Sequence, residues 1–317
     1  MPRIRLGVMI AAFCLLGVTQ QAMAWGPATH IGLAARVLDH LFLLPTAVAV
    51  VLARHSWAYL YGNIAADIVF AKRLSRVKQF CHHWSTAFRL FDGARDDEAR
   101  AFTYGYLSHL AADTIAHGKF IPRQLVTSGA SLRFGHLYWE LRADACEPIA
   151  SWKTLESVLD RDHSRHHDRI EHHFSGTFLP YDLNRFLFHR VNRMVVRRDL
   201  RRKMNTWGRR SRGELPEDLL HEYRAECFDR IVSVLTDGTR SPLVREDPNG
   251  TSALTQVKVR RREARRLKRR GVPVTRRLQE ASLGLAPKPF STSELYPFVM
   301  DPAHTADADD DAVALRL

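Results

Sequence analysis

His109, Asp113 and His117 stand four residues apart in a stretch that is otherwise small or apolar, His109-Leu-Ala-Ala-Asp113-Thr-Ile-Ala-His117. Residues four apart share one face of a helix. At about 3.6 residues per turn, the row drifts by only about 40° per step. His136 and Glu140 repeat the spacing in His136-Leu-Tyr-Trp-Glu140. Leu107, Leu110, Ile115, Leu132 and Phe134 flank the two rows, so both helices are expected to be buried. Each polar group on a buried helix costs on the order of a few kcal/mol unless it is satisfied. A fold containing such rows must therefore gather partners for them, and a divalent ion satisfies several at once. Imidazole and carboxylate without thiolate suit zinc, ahead of manganese or iron.

The N-terminus adds a second constraint. Arg3 and Arg5 precede the short apolar run Leu6 to Val18, and Ala22-Met23-Ala24 has the small residues of a leader-peptidase site. The run is shorter than the ~20 apolar residues of a spanning helix. Residues 1–24 are thus expected to be a signal peptide, and the chain is expected to be exported, periplasmic or secreted. Cleavage would leave Trp25 with a free amine five residues before His30. That amine, the Trp25 carbonyl and His30 can chelate a metal. The remaining cysteines, Cys81, Cys146 and Cys227, are odd in number and fit no zinc-finger spacing. They are expected to be mostly buried thiols.

The rest of the chain reads as helical, with no convincing strand alternation. Thr29 is placed to cap a helix running to Phe42. Pro45 to Leu60 forms a second, broken at Gly62. Glu98 to His117 forms a third, ended by Gly118, and Ser131 to Ala145 a fourth. Leu183 to Met204 and Glu217 to Leu235 follow. We divide the chain into the signal peptide, a metal-binding core at 25–150, a basic helical extension at 151–285 and a disordered tail at 286–317. Asp237-Gly238 and Asp247-Pro248-Asn249-Gly250 mark loops. The histidines from His163 to His173 read as a solvated polar segment. The chain carries 47 Lys and Arg against 34 Asp and Glu, a formal charge of +13, which favours polyanionic partners. Much of the excess lies between Lys258 and Arg270. That run lacks the interleaved aromatics of a nucleic-acid stacking platform. It favours peripheral contact with an anionic membrane, and no specific nucleic-acid partner is expected.

Two further groups complete the set: Asp67 in Gly62-Asn-Ile-Ala-Ala-Asp67-Ile, and His82-His83-Trp84. Taken singly, each group is as well explained by a hydrogen-bonded pair or a helix cap. Five of them in order, beginning at a processed Trp25, point to a metal site.

The ordered set WGPATHIGLAARVL, GNIAADI, HHW, SHLAADTIAH and HLYWE, from Trp25 to about Asp144, resembles the zinc-dependent phospholipase C family. The three-residue gap between Asp113 and His117 is most similar to the branch that includes the catalytic domain of glycosylphosphatidylinositol-specific phospholipase D. Trinuclear-zinc nucleases share the same metal logic with a longer gap. The resemblance implies an all-α, multi-helix fold with a metal cluster in a cleft and up to three zinc ions. It implies that Asp67, His83 and His109 hold one ion, and that His117, His136 and Glu140 hold a second. Trp25 and His30 would hold the third, with Asp113 bridging it to the first. His83 is preferred to His82 because His-Trp is the matching dipeptide. Asp67 doubles as a candidate general base. Asp144 is placed either to orient a ligand or to stand as a solvated helix acid. The implied activity is hydrolysis of phospholipid or related lipid head-group phosphodiesters. The competing readings are a nuclease, with Trp84, Tyr138 and Trp139 as candidate base-stacking residues, and a non-catalytic zinc-containing envelope binding protein.

Overall fold

The computed structural model describes residues 25–69, 80–128, 134–173, 179–196 and 215–271, together with Leu132 and Thr206. The expected signal peptide and the expected tail lie outside the described residues, as does the end of the Leu183–Met204 helix. All regular structure among the described residues is helical, as the resemblance implies. In chain order the helices are α1 (Pro27–Asp39), α2 (Thr46–Arg54), α3 (Ser56–Ala65), α4 (Trp84–Asp92), α5 (Asp97–Ile115), α6 (Ile121–Ser128) and α7 (Phe134–Ala145). They continue as α8 (Ile149–Leu159), α9 (Ser164–His173), α10 (Tyr181–Val195), α11 (Glu217–Asp237) and α12 (Thr251–Arg269). No described helix is long and apolar enough to cross a membrane.

Helix α5 is the axis of the molecule. Asp96 caps it, its carboxylate accepting the Ala99 N–H at 2.8 Å, and Asp97 and Glu98 place negative charge in its first turn. From Ala101 to Ile115 every residue is buried, polar rows included, as befits a helix enclosed on all sides. Helix α3 crosses it at two glycines. A Cβ on Gly62 would lie 2.0 Å from the Phe102 carbonyl oxygen, and one on Gly105 would lie 2.1 Å from that of Tyr59. Gly62 therefore does not break a helix, as the sequence reading expected. It lies inside α3 and lets two backbones touch. On another side of α5 lies α11, whose Cys227 thiol donates to the Ala112 carbonyl at 3.7 Å and whose Arg230 donates to the Thr114 hydroxyl at 2.9 Å. One hydrophobic core runs from Trp25 through Leu155 and Ile231 to Val257, so segments on both sides of residue 150 share it.

Three other local expectations change. Helix α1 starts at Pro27, with Gly26 rather than Thr29 at its N-cap. Proline is preorganised for a first helical turn, where its missing N–H costs nothing. Gly118 does not end α5. The chain widens into a π-helical turn, Ala116–Phe120, and continues as α6. Pro122 lacks the N–H that would bond the Gly118 carbonyl, which disfavours an ordinary α-turn there. His163, His166 and His167 are buried rather than solvated. His163 stacks on Tyr61 with centroids 3.7 Å apart, and His166 stacks on Phe102 at 4.6 Å. His167 contacts the hydroxyls of Tyr181 at 2.8 Å and Tyr61 at 3.3 Å.

Candidate metal centre

Helix α5 supplies His109 and Asp113 one turn apart, with His109 Nε2 at 3.1 Å from Asp113 Oδ2. Helix α1 brings His30, whose ring stacks on His109 at 4.0 Å and whose Nε2 lies 3.4 Å from Asp113 Oδ1. The turn after α3 brings Asp67, and the 3₁₀ turn Phe80–His82 brings His82. His82 Nε2 lies 3.3 Å from Asp67 Oδ1, 3.4 Å from Asp113 Oδ2 and 3.1 Å from His109 Nε2. Two overlapping donor sets result, His30–His109–Asp113 and Asp67–His82–His109, each with its ligand atoms within 4.8 Å of one another.

Of the adjacent pair, the structure places His82, rather than the preferred His83, against Asp67, Asp113 and His109. His83 adopts an extended conformation at the N-cap of α4 and is exposed, whereas His82 is buried at the end of the preceding turn. The backbone changes from a 3₁₀ turn at His82 to an extended conformation at His83, and it is the His82 ring that lies against Asp67 and Asp113.

Asp113 also reaches outward. His117 Nε2, from the π turn, lies 3.9 Å from Asp113 Oδ2, and the His117 ring meets that of His136 edge-on at 5.1 Å. His136 Nε2 lies 3.1 Å from Glu140 Oε1, one turn along α7. The expected second group thus adjoins the first through Asp113. Trp25 is fully buried with its indole stacked on Phe120 at 4.6 Å.

The donor set fits zinc. The Nδ1 of His109 lies 2.8 Å from the Asn63 carbonyl, an acceptor only, so Nδ1 carries the proton and donates. Nε2 is thereby left as a lone pair aimed into the cluster, the tautomer a metal-ligating histidine needs. Burial, with His109 beside it, lowers the pKa of His30 and favours the neutral imidazole. Burial works to raise Asp113, but His109, His30 and His82 around it hold its carboxyl well below the usual range. Both groups are therefore in the protonation state that binds a cation. Without one, three ring nitrogens and four carboxylate oxygens converge in a buried space, an arrangement that is costly unless positive charge balances it.

Sequence reasoning missed two supports. Asn63 holds His109 through its backbone carbonyl, which no side-chain pattern reports. Cys81 contacts His82 Nδ1 at 3.3 Å, while the Tyr106 hydroxyl donates to the Cys81 carbonyl. Among the described residues, Cys81 and Cys227 are buried thiols and Cys146 is an exposed one. Asp144 is buried rather than a solvated helix acid. Its carboxylate accepts from the Ala28 and Thr29 N–H groups at 3.3 and 2.7 Å, at the start of the helix that carries His30.

Residues 29–185 match the family model described as zinc-dependent phospholipase C. No curated protein and no solved structure matches the chain.

Proposed function

We propose that the chain belongs, through residues 29–185, to the zinc-dependent phospholipase C family, and that it is an exported phosphodiesterase acting on phospholipid or related lipid head groups. The observation that carries this reading is the convergence of His30, Asp67, His82, His109 and Asp113 in one buried cluster. Zinc held by these residues would neutralise phosphodiester charge and promote attack by water at neutral pH. We assign His30, Asp67, His82, His109 and Asp113 to the inner group. His117, His136 and Glu140 form the adjoining group, and the amine of a processed Trp25 serves as a further ligand, for up to three ions.

Asp67 is the most exposed of the inner five, at 9 %. It lies in a turn rather than inside a helix, so it is the carboxylate best placed to take a proton from water beside a substrate. We assign it the general-base role. Asp113, fully buried between His30, His82 and His109, holds the cluster together.

Burial of two of the three candidate stacking residues favours lipid over nucleic acid. Trp139 and Trp84 belong to the core, and the Trp84 indole N–H is spent on the Glu246 carbonyl at 2.9 Å. The basic residues of α12 are largely exposed and would contribute about 1 kcal/mol each at an anionic membrane surface. Export follows from the reading of residues 1–24, with the periplasm or the exterior as destination.

The test is hydrolysis of phosphatidylinositol and phosphatidylcholine in mixed micelles against single-stranded DNA, with and without chelator. Chelator-sensitive release of lipid head group supports the proposal. Cleavage of DNA alone would support the nuclease, and zinc binding without either activity would leave a binding protein.

A further inference from the structure

One loop outside the family-matched residues reaches the metal centre. Between α11 and α12 the chain runs through Glu246-Asp247-Pro248-Asn249-Gly250. Asn249 Nδ2 donates to the His82 carbonyl at 2.9 Å, and two residues beyond His82 the Trp84 indole donates to the Glu246 carbonyl. Gly250, with φ of +61°, lies against His117. A Cβ there would be 2.4 Å from the His117 carbonyl oxygen and 2.6 Å from the His117 Cβ. No L side chain fits that approach or readily adopts that φ.

The loop's shape is set independently of the residues it grips. The Asp247 carboxylate accepts the N–H groups of Asn249 and Thr251, both at 2.9 Å. Glu246 pairs with Arg230 at 2.5 Å, and Arg230 also donates to Thr114, the neighbour of Asp113. The ligands it touches are ones that need holding. His30, His109, Asp113, His136 and Glu140 lie within α-helices, whose ladders fix their backbones. His82 ends a 3₁₀ turn and His117 sits in a π turn.

We propose that Asn249 and Gly250 are positioning residues of the metal centre. They hold His82 and His117 in register with the helix-borne ligands, so that the C-terminal part of the chain is a working part of the site. The inference rests on the zinc reading above. Losing such a support costs roughly 10–100-fold in metal affinity.

The test uses the full processed chain, zinc as the only probe, and a competing chelator to report affinity. Thermal unfolding with zinc stripped serves as a second readout. Asn249→Ala should bind zinc at least ~10-fold more weakly, while its zinc-free melting temperature stays within ~3 °C of the parent. Asn249→Asp keeps the side-chain shape but cannot donate to the His82 carbonyl, and it should be no better than Asn249→Ala. Gly250→Ala should lose affinity as well, and if it fails to fold the Asn249 variants decide. Parental zinc affinity in Asn249→Ala would overturn the proposal. So would a weakened affinity matched by a large fall in the zinc-free melting temperature, which marks a merely structural role. A parent chain that takes up no zinc would instead overturn the metal centre itself.

Discussion

The Asp144 carboxylate accepts the Thr29 backbone N–H at 2.7 Å and the Thr29 hydroxyl at 2.9 Å. A side chain from α7 thereby satisfies the first turn of α1, which Gly26 at the N-cap cannot do. A Cβ on Gly26 would lie 2.4 Å from that carboxylate, which is why glycine stands there. The contact ties the ligand-bearing start of α1 to the helix that carries His136 and Glu140.

Replacing Asp144 with alanine should cost about 1–2 kcal/mol, as loss of a helix cap does, and should weaken zinc binding through His30. Burial, followed by the charge of Glu147, raises the Asp144 pKa to about 7. A carboxyl raised above its unfolded value contributes stability that is full below that value and lost as pH rises through the folded one. The stability gap between parent and Asp144→Ala in urea titrations should therefore shrink between pH 5 and pH 8. A gap that widens over that range would contradict the assignment.

The two adjacent histidines should behave differently. His82→Ala should lower zinc affinity by more than the ~10–100-fold expected for a ligand's supporting partner and abolish hydrolysis. His83→Ala should leave zinc content at the parental level, because His83 faces solvent. Chelator competition on the two variants separates them.

The helix crossing at Gly62 and Gly105 should tolerate no side chain. Gly105→Ala would press a Cβ against the Tyr59 carbonyl, 2.1 Å away, from one rigid backbone to another. Overpacking of this kind costs about 1–3 kcal/mol or more, readable as a lower urea midpoint. Zinc binding should weaken with it, since α3 carries the Asn63 carbonyl and leads into Asp67.

The buried histidines of α9 should make the fold acid-sensitive. Burial, then neighbouring positive charge from His163 and from Arg185 respectively, depresses His166 to about 4 and His167 to about 3. The unfolded chain takes up these protons from about pH 6.5 downward while the folded chain does not. Stability should therefore fall as pH drops below 6.5, by at most about 1.4 kcal/mol per pH unit per histidine. His167→Gln should flatten that dependence in urea titrations at pH 7.5, 6 and 5.

The candidate metal centre was legible in the sequence wherever its residues recur at helical spacing. The four-residue spacing of His109 and Asp113 and of His136 and Glu140 encodes shared α-helical faces, and His117, one step on in the π turn, still reaches Asp113. Legibility failed where backbone geometry decides. A histidine pair leaving a 3₁₀ turn has no periodicity to say which ring turns inward, so His82 was passed over for His83. Gly62 read as a breaker because sequence shows glycine's freedom but not the backbone waiting across from it, and Gly118 because no pattern around it marks a π turn that carries the helix on. The histidines at 163 to 167 looked solvated among Asp and Arg, yet their rings bury against Tyr61 and Phe102 while Ser164 and Arg165 between them face out. The loop at 246–250 could be read as a turn, but nothing in its composition says that it ends on His82 and His117.

The most direct test of the zinc centre is elemental analysis of untagged protein beginning at Trp25, purified without chelator. The account predicts about three zinc ions per chain, with at least one lost when an uncleaved tag precedes Trp25 and blocks its amine. A chain that holds no zinc as purified, and regains none on zinc addition, would contradict it.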